Sequence, residues 1–387
     1  MTRLSRSVAL AALCLPPAAL FAAETPIVVP IGDHHSVGAC RFEAEGGAPL
    51  SAQVFSQGGK HFLAFLLPDG DKRSELKGRL TSTLRTDGGV KIAPTSEGAQ
   101  VFLDGALWTE YRAKDGPKPY FWPLIGPTGK AVTRAHPMAK VDGEDYDHNH
   151  QRSFWFTHGN VNDVDFWASD PLNKPSPNFG TIKETSRAVL SGPVLGVLTT
   201  TNDWLAHDRK RTCQDQRIVK FYNTKDARVL DFDITITAID GPVTFKDTKE
   251  GMFGMRIASS MDVKRKLGGK ITNAEGITDT AAWGKASPWV DYTGPVEGET
   301  VGIAILNHPS SFRYPTTWHV RDYGLFAANP FGWKDFGMGK SGEHTIPAGE
   351  SIHFGYRVVL HKGDTASARI ADVFRAYAEP VAVKVSE

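Results

Sequence analysis

Short segments with strand-like patterns recur along the whole chain, and this recurrence constrains the fold more than any other feature. The clearest is 228–238 (RVLDFDITITA), which alternates apolar and polar residues with the two-residue period of a half-buried strand. Helical periodicity is scarce, and the best candidate helix, 365–378, is followed by Pro380. The other predicted strands are 52–55, 61–67, 99–103, 188–199, 217–222, 252–257, 300–306 and 352–360. The pattern predicts an all-β fold, a large antiparallel β-sandwich with a short C-terminal helix.

The N-terminus has the three parts of a secretory signal peptide. Arg3 and Arg6 precede an apolar run over 8–21, and small residues follow it. We predict a signal peptide over 1–23 and a single β-sandwich domain over 24–387, although two tightly joined sandwiches also fit this length. No later segment approaches the ~18 consecutive apolar residues of a membrane helix. A periplasmic or secreted protein without membrane insertion is therefore expected.

Charge and motif content exclude several classes of partner. The 44 Lys and Arg residues nearly balance the 43 Asp and Glu, so a general attraction to nucleic acid is not expected. The sequence contains neither a GxSxG elbow nor a phosphate-binding or dinucleotide-binding loop, and no cofactor is predicted. Cys40 and Cys213 form either a disulfide or two separate thiols. Nothing in the sequence indicates an oligomeric state.

One segment, 145–167 (DYDHNHQRSFWFTHGNVNDVDFW), collects groups that bind protons, metals and sugar rings. His148, His150 and Arg152 are spaced two residues apart, so an extended strand would point all three to one face. The histidines then suit acid and base roles near neutral pH, with Arg152 binding an anionic or hydroxyl-rich substrate. A metal site with a carboxylate is an alternative, although zinc-type spacing to a third ligand is missing. A hydrogen-bonded structural network also fits.

A second charged segment is 246–256 (KDTKEGMFGMR). Glu250 is a candidate general base, and Lys249 is placed to stabilise a developing oxyanion. A solvated turn is the alternative interpretation, because charged runs of this kind are usually surface turns.

A third segment, 307–332 (NHPSSFRYPTTWHVRDYGLFAANPFG), is rich in aromatic and basic residues. His319 and Arg321 are two positions apart and share a face if the chain is extended. Histidine and tyrosine beside arginine suit proton abstraction next to a carboxylate, or acid–base work on a sugar ring. An ordinary aromatic-lined sheet edge is the alternative.

Five stretches between about residues 110 and 362 carry a family resemblance: KPYFWPLIGPTGK, DHNHQRSFWFTHGNVNDVDFW, DTKEGMFGMR, WVDYTGP and HPSSFRYPTTWHVRDYGLFAANPFG. They resemble the bacterial PmoA-like family of unknown function, often labelled "methane oxygenase PmoA". That family's central motif is His-Pro-His-His-Arg, and the matching positions here are His148, Asn149, His150, Gln151 and Arg152. Asn149 and Gln151 depart from the motif, which argues against a role for a third adjacent histidine.

The resemblance implies a β-sandwich similar in shape to galactose mutarotases and to several polysaccharide lyases, in bacteria that degrade saccharides. Methane oxidation is not implied, because a methane monooxygenase subunit is embedded in the membrane and this sequence contains no spanning segment.

We therefore predict an exported carbohydrate-active enzyme that acts on a glycoside or oligosaccharide. Glycoside hydrolysis is favoured, with a polysaccharide lyase, a sugar epimerase or a non-catalytic sugar-binding module as alternatives. Hydrolysis needs two carboxyl groups beside the bond, and the predicted catalytic residues are His150, Asp165, Asp247, Glu250 and His319. The predicted substrate-binding residues are His148, Arg152, Trp155, Lys249, Arg256, Tyr314, Trp318, Arg321, Asp322, Tyr323 and Asn329, with Trp155 or Trp318 as the stacking floor.

Overall fold

The computed structural model describes residues 24–71, 73–82 and 88–386. The predicted signal peptide, residues 1–23, lies outside the described residues. Within the described part of the chain, every helix is too short or too polar to cross a lipid bilayer.

Strands dominate the described part of the chain. In chain order they are β1 (Thr25–Ile31), β2 (Gly38–Ala44), β3 (Leu50–Gln57), β4 (Lys60–Leu67), β5 (Glu75–Ser82), β6 (Val90–Pro94), β7 (Gly98–Leu103), β8 (Ala106–Arg112), β9 (Tyr120–Leu124), β10 (Phe154–His158), β11 (Thr181–Leu190), β12 (Leu195–Leu205), β13 (Arg211–Tyr222), β14 (Arg228–Thr237), β15 (Val243–Phe245), β16 (Gly251–Arg256), β17 (Lys270–Asn273), β18 (Trp289–Val296), β19 (Glu299–Asn307), β20 (Trp318–Val320), β21 (Leu325–Ala328), β22 (His344–Ile346), β23 (Ser351–Lys362) and β24 (Ala382–Ser386). Two short 3-10 helices cover Ser259–Met261 and Asp279–Ala282. The predicted C-terminal helix is confirmed as α1 (Ile370–Ala378), which ends just before Pro380.

The predicted strands fall on observed strands, except for the single strand predicted over 188–199. There β11 ends at Leu190 and β12 begins at Leu195, and the two strands pair antiparallel. The intervening turn contains Gly192, where a Cβ atom would lie 2.2 Å from the side-chain oxygen of Gln53. The prediction of one continuous strand was wrong, because the close approach of Gln53 and the following proline favour a turn.

Two eight-stranded antiparallel sheets face each other as a β-sandwich, so the predicted fold class is confirmed. The sheet with order β20-β21-β16-β10-β9-β8-β7-β6 is called the site sheet, and the sheet with order β11-β12-β13-β14-β23-β19-β18-β17 is called the back sheet. Aromatic rings from both sheets meet in the core between them. The Phe253 ring of the site sheet stacks on Tyr356 of the back sheet at 4.3 Å, and Phe154 meets Phe232 at 5.8 Å.

Strand alternation gives the site sheet a second, outward face. In β10 the Phe154 and Phe156 side chains enter the core, so Trp155 between them points outward. In β20 the same rule turns His319 outward, between two core side chains. Gly254 of β16 lies under Trp155, where a Cβ atom would approach the indole to 3.0 Å. A side chain at Gly254 would therefore require the Trp155 indole to shift by a few tenths of an ångström.

A third, six-stranded sheet packs on the outside of the back sheet. Its strand order is β1-β4-β3-β2-β5-β24, in which β24 pairs parallel with β5. The sheet has a hydrophobic cluster of its own, and a second cluster joins it to α1 and to the outer face of the back sheet. Cys40 on β2 and Cys213 on β13 are free thiols. The assignment of residues 24–387 to one domain stays a prediction.

Candidate functional site

A cleft of about 680 Å³ opens over the outward face of the site sheet. It is lined by His148, His150, Gln151, Gly159, Asn160, Asp165, Trp167, Ala168, Lys246, Asp247, Thr248, Lys249, Glu250, His319, Arg321 and Tyr323. Apart from Ala168, which directly follows the first segment, these residues come from the three polar segments that stand out in the sequence. Segments about 100 and 170 residues apart along the chain therefore meet in one cleft.

Hydrogen bonds hold the segment that carries Glu250. The Asn329 amide donates to the carbonyls of Thr248 and Lys249 at 3.0 and 2.9 Å, and its oxygen accepts from two backbone amides further along its own loop. The Lys249 amide donates to the Asp335 carboxylate at 2.8 Å. Asn329 is fully buried, so the structure places this predicted substrate-binding residue behind the cleft as a brace.

His319 lies at the cleft wall with one nitrogen bound and the other unpartnered. Its Nδ1 lies 2.6 Å from the Lys249 carbonyl oxygen, so Nδ1 carries the hydrogen and donates it. Its Nε2 is buried and has no hydrogen-bond partner among the described residues. Burial lowers the pKa of His319 to about 4. The ring is therefore neutral at pH 7, and its unprotonated Nε2 is buried within the cleft wall.

Two carboxyl groups in the cleft have different environments. Glu250 forms an ion pair with Lys249 and is 35% exposed. Asp165 accepts from the backbone amides of Trp167 and Ala168 at 2.8 and 2.9 Å. Burial raises the pKa of Asp165, and the charge of nearby Glu250 adds to the rise. The two cleft carboxyl groups thus differ, because the Asp165 carboxyl has a raised pKa and the Glu250 carboxylate has a cationic partner.

Asp247 also borders the cleft, but its carboxylate is engaged elsewhere. It accepts from the backbone amides of Lys334 and Gly342, the latter at 2.6 Å. Asp247 therefore anchors the 334–342 loop. Of the other two predicted catalytic carboxyl groups, Asp165 and Asp247, only Asp165 has an oxygen without a hydrogen bond from the described residues.

His148, which lines the cleft, forms a dyad with Asp147. His148 Nδ1 lies 2.9 Å from the Asp147 carboxylate, and the imidazole stacks on the Tyr323 ring at 5.4 Å. The buried guanidinium groups of Arg134 and Arg256 pair with the same carboxylate. Burial opposes ionisation of Asp147, but Arg256, followed by Arg134 and His148, lowers its pKa to about 2. Asp147 is thus a fixed anion that orients the His148 ring.

The predicted common strand face of His148, His150 and Arg152 is wrong, because the segment before β10 is a loop. His148 and His150 nevertheless both line the cleft, with ring centroids 5.8 Å apart. Burial, followed by the positive charge of Lys118, lowers the pKa of His150 to about 3, so this ring is neutral at pH 7. Arg152 is buried away from the cleft, and its Nε donates to Asp170 at 2.7 Å.

Of the remaining predicted binding residues, Lys249, Arg321 and Tyr323 line the cleft and the other five do not. Trp155 and Trp318 are 1% and 0% exposed, so neither indole is available as a stacking floor. Arg256 is buried beneath Tyr323, and its Nη1 donates to the Gln151 side-chain oxygen at 2.6 Å. Two more predicted residues, Tyr314 and Asp322, are likewise absent from the cleft lining, and Tyr314 is exposed.

Several lining residues were not predicted from the sequence, among them Gln151, Asn160, Trp167, Lys246 and Thr248. Each lies within or beside a segment that the sequence already marked. Closeness in sequence to the marked residues would therefore have identified these lining residues. Strand alternation would have shown which tryptophan side chains are buried. In the part of the chain that the structure describes, no three His, Cys, Asp or Glu side chains are grouped as a metal site requires.

Solved structures give distant matches. A galactose mutarotase-like protein from Lactobacillus casei is 10% identical, with a TM-score of 0.30, and the match covers 70% of this chain and 100% of that one. The galactosidase domain of an alpha-galactosidase-sucrose kinase is 9% identical, with a TM-score of 0.34, over 73% of this chain and 42% of that one. An alpha-galactosidase from Lactobacillus brevis is 10% identical, with a TM-score of 0.29, over 76% and 42%. The matched region spans less than half of the two galactosidase chains, and similarity this distant assigns neither substrate nor reaction.

Family comparison is more decisive than either structural or pairwise similarity. No curated protein matches the sequence significantly. A family model described as "Family of unknown function (DUF6807)" matches residues 99–375, which include every residue of the cleft. Because this match covers most of the chain, the protein belongs to the DUF6807 family.

Proposed function

We propose that this protein is an exported carbohydrate-active enzyme that hydrolyses a glycosidic bond in the cleft. The observation that carries the proposal is the pair of cleft carboxyl groups, Asp165 and Glu250, in unequal environments. Glycoside hydrolases use such a pair, with one carboxylic acid and one carboxylate beside the scissile bond. The resemblance to the PmoA-like family and the predicted signal peptide agree with a periplasmic or secreted enzyme.

The rest of the cleft suits a sugar. Its volume and opening fit a small oligosaccharide, and its lining offers hydrogen-bonding groups such as Asn160, Gln151 and Thr248. His148 is 41% exposed and stacks on Tyr323, so this pair forms an aromatic platform against which a pyranose ring can pack. The platform replaces the tryptophan floor expected from the sequence.

In the proposed reaction Asp165 acts as the general acid. It donates its proton to the glycosidic oxygen while the bond from that oxygen to the anomeric carbon breaks. Glu250, paired with Lys249, assists attack at the anomeric carbon, either by removing a proton from water or by forming a transient ester that water then hydrolyses. The sum is addition of one water molecule across the broken bond.

His319 favours a second candidate function, epimerisation or elimination on a sugar. Its unpartnered Nε2 is a neutral base at the cleft wall, and a buried polar atom without a partner is uncommon in native proteins. Abstraction of a carbon-bound proton needs such a base. It does not need two carboxyl groups.

Activity assays of the purified protein on a panel of oligosaccharides test the proposal. New reducing ends would support hydrolysis, the ultraviolet absorbance of an unsaturated uronate would indicate elimination, and altered stereochemistry by NMR would indicate epimerisation. Binding without turnover of any glycan would identify a sugar-binding module, and absence of both binding and turnover would contradict the proposal.

We expect the pH dependence of kcat/KM to separate the two reactions. Hydrolysis needs protonated Asp165, whose pKa is raised by burial, so activity falls as the pH rises through that pKa. Proton abstraction needs neutral His319, whose pKa is about 4, so activity is lost below that pH and is level above it. Rates are measured across the acidic and neutral range, with circular dichroism to confirm folding at each pH. A fall at higher pH that persists in Asp165→Asn would contradict the assignment of the acid.

A further inference from the structure

Arg321 is the cation of the cleft that lacks a carboxylate partner among the described residues. The other two cations that line the cleft, Lys246 and Lys249, form ion pairs with Glu343 and Glu250. The Arg321 guanidinium instead lies 5.8 Å from the Trp283 ring centroid and 5.4 Å from that of Tyr323. Its positive charge is therefore held at the cleft by two rings and is not neutralised by an acidic side chain.

This environment suits a bound anion. A guanidinium presents a planar fork of donors that matches the two oxygens of a carboxylate, and aromatic neighbours fix its plane without using those donors. Arg321 is partly buried, so its charge is less hydrated than that of a surface arginine. A charged group in that state gains more from an anionic ligand than from a neutral one.

The position of Arg321 places such an anion beside the reactive groups. Arg321 follows His319 by two residues at the end of β20, and both side chains line the cleft. After burial and the charge of Lys249, the Arg321 charge also lowers the pKa of His319, which is consistent with the closeness of the two side chains. Glu250 lies in the same cleft. An anion held by Arg321 would thus lie in the same cleft as His319 and Glu250.

We propose that the cleft selects acidic sugars, with Arg321 pairing with the carboxylate of a uronic acid residue. This inference rests on the proposed function, because it names the class of carbohydrate that the same cleft takes. A sulfate ester offers the same charge and similar oxygens. It is included as a separate arm of the test.

Calorimetric titration of the full-length protein compares trigalacturonate, galactotriose and a sulfated galactotriose at low and high salt. We expect the wild type to bind an anionic trisaccharide at least about tenfold more tightly than the neutral one, in line with charge-assisted hydrogen bonding. Arg321→Gln should abolish this preference because it removes the positive charge, while Arg321→Lys should restore part of it. High salt should weaken anionic binding alone. Arg375→Gln, on the exposed face of α1, is the matched control and should have no effect.

The outcomes separate this inference from the proposed function. Equal binding of neutral and anionic trisaccharides would overturn the acidic-sugar assignment and leave carbohydrate activity standing. Absence of binding by every trisaccharide would overturn both. Preference for the carboxylate or for the sulfate ester would support the inference and identify the anion. If Arg321→Gln fails to fold, the salt dependence of wild-type binding and the preference of the Arg321→Lys variant still show whether Arg321 binds an anionic sugar.

Discussion

Glu250→Gln is expected to lower kcat by about 10²–10⁴-fold, the range over which acid–base groups contribute to catalysis. The amide keeps the shape of the side chain but can neither accept a proton nor act as a nucleophile. Because Glu250 is 35% exposed and its ion pair with Lys249 lies at the cleft surface, the free energy of unfolding should change by less than about 1 kcal/mol. Steady-state kinetics on the substrate found with the glycan panel, together with thermal unfolding, measures both quantities.

Glu343→Gln is the control for this prediction. Glu343 pairs with Lys246 at 3.2 Å but does not line the cleft, so its loss removes a similar surface ion pair without removing a cleft carboxylate. Retention of wild-type kcat by Glu250→Gln would show that the reaction does not use this carboxylate. A purely binding role for Glu250 would instead raise KM and leave kcat unchanged.

Asp147→Asn is expected to destabilise the protein by about 2 kcal/mol at neutral pH. Asp147 is the shared anion of Arg134 and Arg256, whose side chains are 0% and 1% exposed, and its neutralisation leaves two buried cations without it. Removing one partner of a buried ion pair costs about 3–5 kcal/mol, and the smaller value is expected because Asp147 itself is 46% exposed and solvent screens its charge. Chemical denaturation of both proteins measures the difference.

The same difference should depend on pH with a defined sign. The pKa of Asp147 is lowered from 3.8 when unfolded to about 2 when folded. The folded state thus gains stability from ionised Asp147 above the unfolded pKa and loses it as the pH falls from about 4 to about 2. Wild type and Asp147→Asn should therefore converge in stability over that window. A gap that stays constant would show that the carboxylate charge is not the cause.

Asp145→Asn tests whether removing any carboxylate of this loop lowers the stability as much as Asp147→Asn does. Asp145 pairs with Arg265 at 2.7 Å, and both side chains are partly exposed. Because Arg265 also pairs with Asp262, the substitution should cost less than about 1 kcal/mol. A larger loss than in Asp147→Asn would contradict the account based on the buried arginines.

Local pattern was sufficient to predict much of this molecule. The alternation in 228–238 marks β14, and the density of histidine, carboxylate and arginine marks the three cleft segments. The alternation rule also held information that the prediction did not use. His319 and Arg321 were expected to share the cleft face of a strand. Because neighbouring strand residues point to opposite faces, Trp318 should have been predicted to point into the core, where it lies.

Other features depend on partners far along the chain and could not be predicted from local sequence. Arg152 pairs with Asp170, and Asp247 binds backbone amides of a loop more than eighty residues away. The pKa values of His150 and His319 are lowered by burial, which follows only from how the sheets and loops close around them. Composition can mark a histidine as a candidate. Its protonation state depends on the folded environment.

The parallel pairing of β24 with β5 has a consequence for the order of folding. Ser386 of β24 donates to the Gly78 carbonyl of β5 across 308 residues of sequence. β24 can therefore pair with β5 only after the whole sandwich sequence has been synthesised. Until then the free side of β5 is an open sheet edge, which can pair with another chain. Closing such a long loop is slow compared with forming the local hairpins of the sandwich. We therefore expect this edge to be the last element to form and the main point at which a newly made chain is exposed to misassembly.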